Sequence, residues 1–117
     1  MKRDCPCGCG MKLGRRDRRK IEISQGLVSQ TTYLRDVVLV VYSETQSEDK
    51  VQELKTFVHT GRRFATKLKD EAHGRMVGTQ LRSGDVDMTE VNRWMKSAQG
   101  MIDSVDGALA RVAPEVE

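Results

Sequence analysis

The chain has 117 residues, of which 32% are charged and only 4% are aromatic. A length of this order corresponds to one domain, or to one domain with an extension. So few aromatic side chains argue against a sandwich or barrel with an aromatic core, and they favour helices packed along aliphatic seams.

The formal net charge of +3 conceals an uneven distribution along the chain. Residues 1–20 contain eight basic and two acidic side chains, whereas residues 21–117 contain twelve basic and fifteen acidic ones. We therefore predict two parts, a basic metal-binding arm (1–20) and a helical bundle (21–117). The arm shows no hydrophobic periodicity, so we expect it to be ordered only by a metal or a partner.

An apolar stripe predicts a first helix from about residue 24, with Ser24 as a plausible cap. Its members recur every three or four residues: Leu27, Thr31, Leu34, Val38 and Val41. The run over residues 37–41 is β-branched and is also typical of a buried strand. We favour a helix because the flanking spacing is helical and the sequence offers no partner strand. A helix that is apolar on several faces would lie centrally in the bundle or in an oligomer interface.

A second helix is predicted to begin at Ser47, whose hydroxyl can accept a hydrogen bond from an unpaired backbone N–H. The predicted seam of this helix is Val51, Leu54, Val58, Gly61, Ala65, Leu68 and Ala72. Met76 and Leu81 can extend the helix to Ser83, with Gly84 as its left-handed stop.

A third helix has the clearest start, because Asp87 and Glu90 have the spacing of a capping box. Its predicted seam is Val91, Met95, Ala98, Ile102, Val105, Leu109 and Val112, and it is expected to end near Pro114. Trp94 lies beside this seam, where we favour partial burial within the bundle; an interface with a partner is the alternative. The predicted fold class is all-α, either an antiparallel three-helix bundle or a long helical hairpin, with a basic, cysteine-rich N-terminal arm.

The motif with the clearest chemistry is the run Cys-Pro-Cys-Gly-Cys-Gly over residues 5–10. Thiolates select Zn²⁺, Cu(I) or iron–sulfur clusters, and zinc is favoured here because clusters normally need more cysteines. In a strand the alternate cysteines would point to opposite faces, so their convergence requires turns. The proline and glycines of the run supply the necessary dihedral angles. We predict Cys5, Cys7 and Cys9 as metal ligands.

A closed structural zinc site needs a fourth ligand. The histidines of the chain are His59 and His73. On one continuous helix they would lie about 40° apart around the axis and roughly 21 Å apart along it, so at most one can complete the site unless the helix breaks. We predict His59, because it adjoins Val58 on the apolar seam, where an arm folded along the bundle can reach it. Asp4, a water molecule or a second chain are the alternatives.

The Cys-Pro-Cys-Gly-Cys-Gly run, followed by lysine and arginine, resembles the short N-terminal cysteine motif of many small proteins of actinobacteria and their phages. The resemblance covers about a tenth of the chain. In fuller versions of the motif a downstream cysteine-rich half completes a zinc finger, whereas no cysteine follows Cys9 here. The resemblance implies a small zinc-binding protein that a phage could encode, and it implies no activity.

A basic run adjoins the cysteines and predicts contacts to phosphate groups. The candidate nucleic-acid-binding residues are Lys12, Arg15, Arg16, Arg18, Arg19 and Lys20. No aromatic residue is interleaved among them, so base stacking is not supported, and binding should be weakly sequence-specific and sensitive to salt. A protein surface and a solvated tail are the alternatives for this run.

The sequence lacks the glycine loop of nucleotide-binding enzymes, a nucleophile elbow and a zinc-protease helix, so we predict no enzymatic activity. Our first hypothesis is a zinc-binding protein whose basic arm contacts nucleic acid, a ribonucleoprotein or another nucleic-acid machine of the host. The alternative is a structural or host-inhibitory phage module, in which helical faces bind a protein partner or a second copy.

The expected location is the cytoplasm, the cytoplasm of a host cell, or a virion. No apolar run approaches the length that spans a bilayer, and the basic N-terminus is not followed by the apolar stretch of a signal peptide. In the cytoplasm the three cysteines would stay reduced.

Overall fold

The computed structural model describes residues 2–74 and 86–116, with side chains up to residue 111 in the last helix. The elements in chain order are strands β1 (Arg3–Asp4) and β2 (Lys12–Leu13), then helices α1 (Arg15–Tyr33), α2 (Leu39–Thr45), α3 (Glu48–Ala72) and α4 (Met88–Val116). A π-helical turn, Leu34–Val38, joins α1 to α2 with helical dihedral angles on both sides. Three helical rods result, which confirms the predicted all-α class.

The first two rods form an antiparallel pair. Gln46 leaves the helical conformation, and the Ser47 hydroxyl then accepts a hydrogen bond from the Lys50 amide at 3.4 Å, which caps α3 as predicted. Because the link is so short, α3 folds back along α1. Ser24 donates a buried hydrogen bond across this interface to the carbonyl of Ala65 at 2.8 Å.

The third rod covers the groove between the other two. Trp94 of α4 is only 6% exposed, stacks on Phe57 with ring centroids 4.6 Å apart, and donates its indole N–H to the Phe57 carbonyl at 3.0 Å. Gly61 leaves the space that the indole fills, facing Thr31 on the other side. Trp94 is therefore buried within the bundle, as expected, and not at an interface, because the missing side chain at position 61 admits the ring into the core.

The apolar run in the first rod is helical rather than a strand. Leu34 and Val38 are fully buried, Val37 and Val41 are half-buried, and Val40 is 55% exposed. This pattern has helical periodicity, and the only strands among the described residues belong to the N-terminal hairpin.

The start of α1 differs from the prediction. The helix begins at Arg15, nine residues before Ser24, which lies buried inside the helix instead of capping it. Arginine and lysine are good helix formers even where no hydrophobic stripe marks them. The N-terminal hairpin packs on Ile21 and so supplies the burial that the local sequence does not reveal.

The predicted seam of the second helix ends at Ala72, and so does α3. Gly74 follows with a φ of +70°. The extension predicted through Met76 and Leu81 to Ser83 and Gly84 lies outside the described residues.

α4 begins where predicted, because the Asp87 carboxylate accepts a hydrogen bond from the Thr89 amide at 2.9 Å. The helix continues past Pro114 to Val116. On its seam, Val91, Ala98, Ile102 and Val105 are buried and Met95 is half-buried, whereas Leu109 is 46% exposed; the side chain of Val112 lies outside those described.

Two apolar clusters hold the fold together. The larger one fills the space between the three rods, and the smaller one comprises Cys5, Leu13, Ile21 and Ala72. The smaller cluster fastens the N-terminal hairpin to the start of α1 and the end of α3, and so positions the cysteines. Among the described helices, none combines the length and the apolar character needed to cross a membrane.

Candidate metal centre

The three cysteines lie in the loop of a short hairpin. β1 and β2 pair with Arg3 opposite Leu13 and Asp4 opposite Lys12. Beyond the strands, the Cys5 amide donates to the Met11 carbonyl at 2.8 Å, which continues the pairing into the loop.

The loop turns sharply at its glycines. Gly8 and Gly10 have φ values of +80° and +85°, in the left-handed region that favours glycine, as the sequence predicted. The Gly8 amide donates to the Cys5 carbonyl at 3.1 Å and closes the first turn. These turns bring the three sulfur atoms to the same side of the loop, facing the end of α3.

His73 provides the fourth donor. It is the C-cap of α3, its amide donates to the Lys69 carbonyl at 3.0 Å, and its side chain is buried with 8% exposed. Its Nε2 lies 3.5 Å from the Sγ of Cys5, 3.7 Å from that of Cys7 and 3.6 Å from that of Cys9. The end of α3 thus presents the imidazole to all three thiols at once.

These distances fit one tetrahedral ion. With Zn–S bonds of about 2.3 Å and a Zn–N bond of about 2.0–2.1 Å, neighbouring sulfur and nitrogen donors lie about 3.6 Å apart. The four donor atoms all lie within 4.8 Å of one another. The Cys5 and Cys7 sulfurs, at 3.1 Å, must separate to about 3.8 Å to meet the same geometry. Cys5, Cys7, Cys9 and His73 are therefore positioned to hold a metal ion.

His59 does not belong to the cluster. It lies within α3, with its side chain exposed to solvent, and the donors gathered around the cysteines include His73 instead. The histidine beside the cysteines thus differs from the predicted one, because the hairpin docks at the C-terminal end of α3 and not along its side. A signal was present in the sequence, since Gly74 is a typical helix stop and places the residue before it at the end of the rod.

Asp4, another alternative for the fourth position, is occupied elsewhere. Its carboxylate forms an exposed ion pair with Lys12 at 2.6 Å on the paired strands.

The electrostatics of the thiols depend on their burial and mutual contacts. Burial, together with hydrogen bonding to Cys7, raises the pKa of the Cys5 thiol to about 11. Hydrogen bonds from Cys5 and Cys9 lower the pKa of the Cys7 thiol. Thiolates packed this closely repel one another, so full ionisation of the cluster requires a cation among them.

The four donors are those of a structural metal site and not of a catalytic one. Three thiolates and one imidazole are a typical closed set for Zn²⁺, whereas catalytic zinc sites keep one position for water or substrate. The exposure is graded, with Cys5 and His73 buried, Cys7 intermediate and Cys9 exposed. The cluster lies beside the smaller apolar core, so an ion bound there would fasten the hairpin to the helical bundle.

The predicted nucleic-acid-binding residues lie on ordered elements next to this centre. Lys12 is on β2, and the other five form the first two turns of α1: Arg15, Arg16, Arg18, Arg19 and Lys20. Arg15, Arg16 and Arg19 are exposed, whereas Arg18 and Lys20 are half-buried. The expected arm is therefore a hairpin followed by a helix, and α1 crosses the predicted boundary at residue 20.

Acidic neighbours neutralise part of this basic segment. Arg19 approaches Glu22 at 3.7 Å, and Lys20 approaches Glu71 of α3 at 3.8 Å. The Glu71 side chain is only 3% exposed, so the Lys20 contact ties the basic segment to the end of α3.

No family model matches this chain, and no curated protein or solved structure matches it either. The case for a metal therefore depends on the four donors themselves.

Proposed function

We propose that this protein is a non-enzymatic, zinc-stabilised protein that binds nucleic acid through the first turns of α1. The metal fastens the N-terminal hairpin to the end of α3 and holds the start of α1 in place. The exposed guanidinium groups there contact phosphates of the nucleic acid.

One observation carries this proposal. Five basic residues occupy the first two turns of a helix, where the helix dipole already places partial positive charge. Gly14, the N-cap, contributes no side-chain hydrogen bond, and Asp17 is the single acidic residue in the first turn. Cations concentrated at this end of a helix lower its stability, and an anionic partner at the same place offsets that cost.

Zinc is supported as the metal by the donor types and by their closed arrangement. The same closure supports a structural role, because four protein donors leave no position for a substrate. A cytoplasmic, host-cytoplasmic or virion location belongs to this proposal, since the thiolates must stay reduced to bind the metal.

Metal analysis tests the first half of the proposal. We expect about one equivalent of zinc per chain after gentle purification, because closed thiolate sites bind tightly. Less than about half an equivalent would contradict a closed, high-affinity site.

Salt-dependent binding tests the second half. We expect a fluorescent oligonucleotide to bind at low salt. The logarithm of its association constant should fall linearly with the logarithm of the salt concentration, with a slope of about −0.7 to −0.9 for each phosphate contacted. The double variant Arg15→Gln/Arg19→Gln should reduce the magnitude of that slope by about 1.4–1.8. Arg111→Gln, an exposed arginine near the far end of α4, is the control and should leave the slope unchanged. Failure of both DNA and RNA to bind at low salt would overturn the proposal.

A protein-interaction role is the second candidate, and exposed aliphatic side chains favour it. Val40 on α2 is 55% exposed and Val28 on α1 is 48% exposed. Sedimentation at several concentrations tests the homomeric form of this role, and a mass that stays monomeric would exclude it.

A further inference from the structure

A cleft separates the start of α1 from the start of α4. Its volume is about 850 Å³, which lies within the range of pockets that enclose small ligands. All five basic residues of the first two turns of α1 line it, together with Glu22, and Met88 contributes from α4. The basic segment is thus one wall of a concave site and not a convex surface.

The cations in the cleft are only partly neutralised. The ion pairs of Arg19 and Lys20 join N and O atoms 3.7–3.8 Å apart, beyond the range of a short charge-assisted hydrogen bond. The Nε of Arg18 is buried and has no hydrogen-bond partner among the described residues. A buried guanidinium N–H without an acceptor costs free energy, so the site favours a ligand that brings oxygen acceptors.

Part of the lining is apolar. Ile23 and Met88, both half-buried, line the cleft and pack against the main core. Among the described residues no aromatic side chain lines the cleft, so a bound base would find apolar contact but no stacking partner there. Basic residues beside an apolar lining suit a ligand that carries a row of anionic groups, and they do not distinguish one base from another.

We infer that this cleft binds a row of adjacent phosphate groups belonging to a single nucleic-acid strand. The inference rests on the proposed nucleic-acid function and names the site and the form of the ligand. The backbone of a single strand is narrow enough to enter a cleft of this size. A duplex is too wide to enter, so its phosphates reach only the exposed rim. Free polyphosphate carries the same chemistry, and the experiment separates the two sources.

The test uses the full zinc-loaded chain and two variants in the cleft. Met88→Glu places a carboxylate in its apolar wall, and this change suits the first turn of α4 because acidic residues stabilise helix N-termini. Arg18→Gln removes the guanidinium whose Nε is buried. The matched controls are Leu109→Glu and Arg111→Gln, which make the same types of change at exposed positions near the far end of α4. Circular dichroism and zinc content confirm that each variant folds.

The probes are a short oligothymidylate, a duplex of equal length and inorganic tripolyphosphate. We expect the oligothymidylate to bind more tightly than the duplex and to be displaced by tripolyphosphate. Met88→Glu should weaken its binding about tenfold, the size of effect expected when like charges lie a few ångströms apart at a partly buried site. Arg18→Gln should also weaken it, whereas both control variants should leave it unchanged.

The outcomes distinguish the two proposals. If nucleic acid binds but Met88→Glu has no more effect than Leu109→Glu, the cleft is not the site, although the proposed function stands. If the duplex binds as tightly as the single strand, the inferred form of the ligand is wrong. If tripolyphosphate alone binds, and Met88→Glu weakens it, the ligand is a free polyphosphate and the nucleic-acid function fails.

Discussion

His59 and His73 lie on the same rod, and the end of α3 gives them different environments. His59 is inside the helix with its side chain in solvent, whereas His73 caps the helix and is buried against three sulfur atoms. Helix termination at Ala72 therefore decides which imidazole can reach a metal.

Replacing His73 by alanine should reduce zinc affinity by more than about 100-fold, since even the loss of an outer-shell partner costs 10–100-fold. Competition with a chromogenic chelator measures the change. His59→Ala is the matched control and should bind zinc like the unmodified protein. An equal loss in both variants would contradict the assignment of His73 as a ligand.

Zinc affinity should also depend on pH, because burial raises the pKa of Cys5 to about 11. At neutral pH the metal-free Cys5 carries a proton that the ion must displace, so lower pH weakens binding and higher pH strengthens it. We expect the logarithm of the association constant for zinc to rise by at least about one for each pH unit between pH 6 and pH 8. Calorimetry in buffers of different ionisation enthalpy counts the protons released, and a pH-independent affinity would refute the prediction.

The packing of α1, α3 and α4 depends on one point where the three helices approach closely. Gly61 on α3 lies against the indole of Trp94, and a Cβ at this position would stand 2.7 Å from the Thr31 methyl group as well as overlapping the ring. The glycine therefore allows all three rods to meet at one level of the bundle. Its role as a small seam residue could be foreseen from the heptad-like spacing, but the partner on α4 could not.

Gly61→Ala should lower the free energy of unfolding by about 1–3 kcal/mol, the usual cost of overpacking a well-filled core. Gly100 on α4 provides the control, because it is exposed and a Cβ there would meet nothing within 4 Å. Gly100→Ala should raise the free energy of unfolding by up to about 1 kcal/mol through helix propensity alone. Urea denaturation measures both, and a change of the same sign in the two variants would contradict the packing argument.

At the scale of the whole molecule, the chain consists of a helical bundle with its own core and a small hairpin attached at one end. The strands of the hairpin have two residues each, which is too little to be stable alone. Four apolar side chains and the proposed ion hold the hairpin in place. The bundle, in contrast, has a separate main cluster with thirteen buried residues among those described, and none of the four candidate metal donors belongs to it.

Chelation of zinc should therefore loosen the hairpin while leaving the bundle folded. Ligand linkage makes the metal worth about 4 kcal/mol at free zinc concentrations roughly 1,000 times Kd, and chelation removes this contribution. We expect trypsin to cleave rapidly at Lys12 only after chelation, with little change in far-ultraviolet circular dichroism. Addition of chelator already saturated with zinc is the control. Loss of most helical signal on chelation would show instead that the bundle depends on the metal.

The sequence by itself determined the features that depend on neighbouring residues. The apolar seams predict the three helical rods because side chains three or four positions apart share a helix face. Ser47 and Asp87 mark two helix starts because their oxygens reach amides two or three residues away. The thiol donors and the turns between them follow from six consecutive residues, since proline and glycine restrict or extend the local dihedral angles.

Only the tertiary structure decided the features that join distant parts of the chain. His73 meets cysteines that are 64–68 residues away, and Trp94 fills a gap left by a glycine on another helix. The early start of α1 depends on Ile21, which is buried by the hairpin and by Ala72 at the end of α3. Periodicity reports which face of a helix is buried, but not which element covers it, because that choice is made by contacts between segments far apart in sequence.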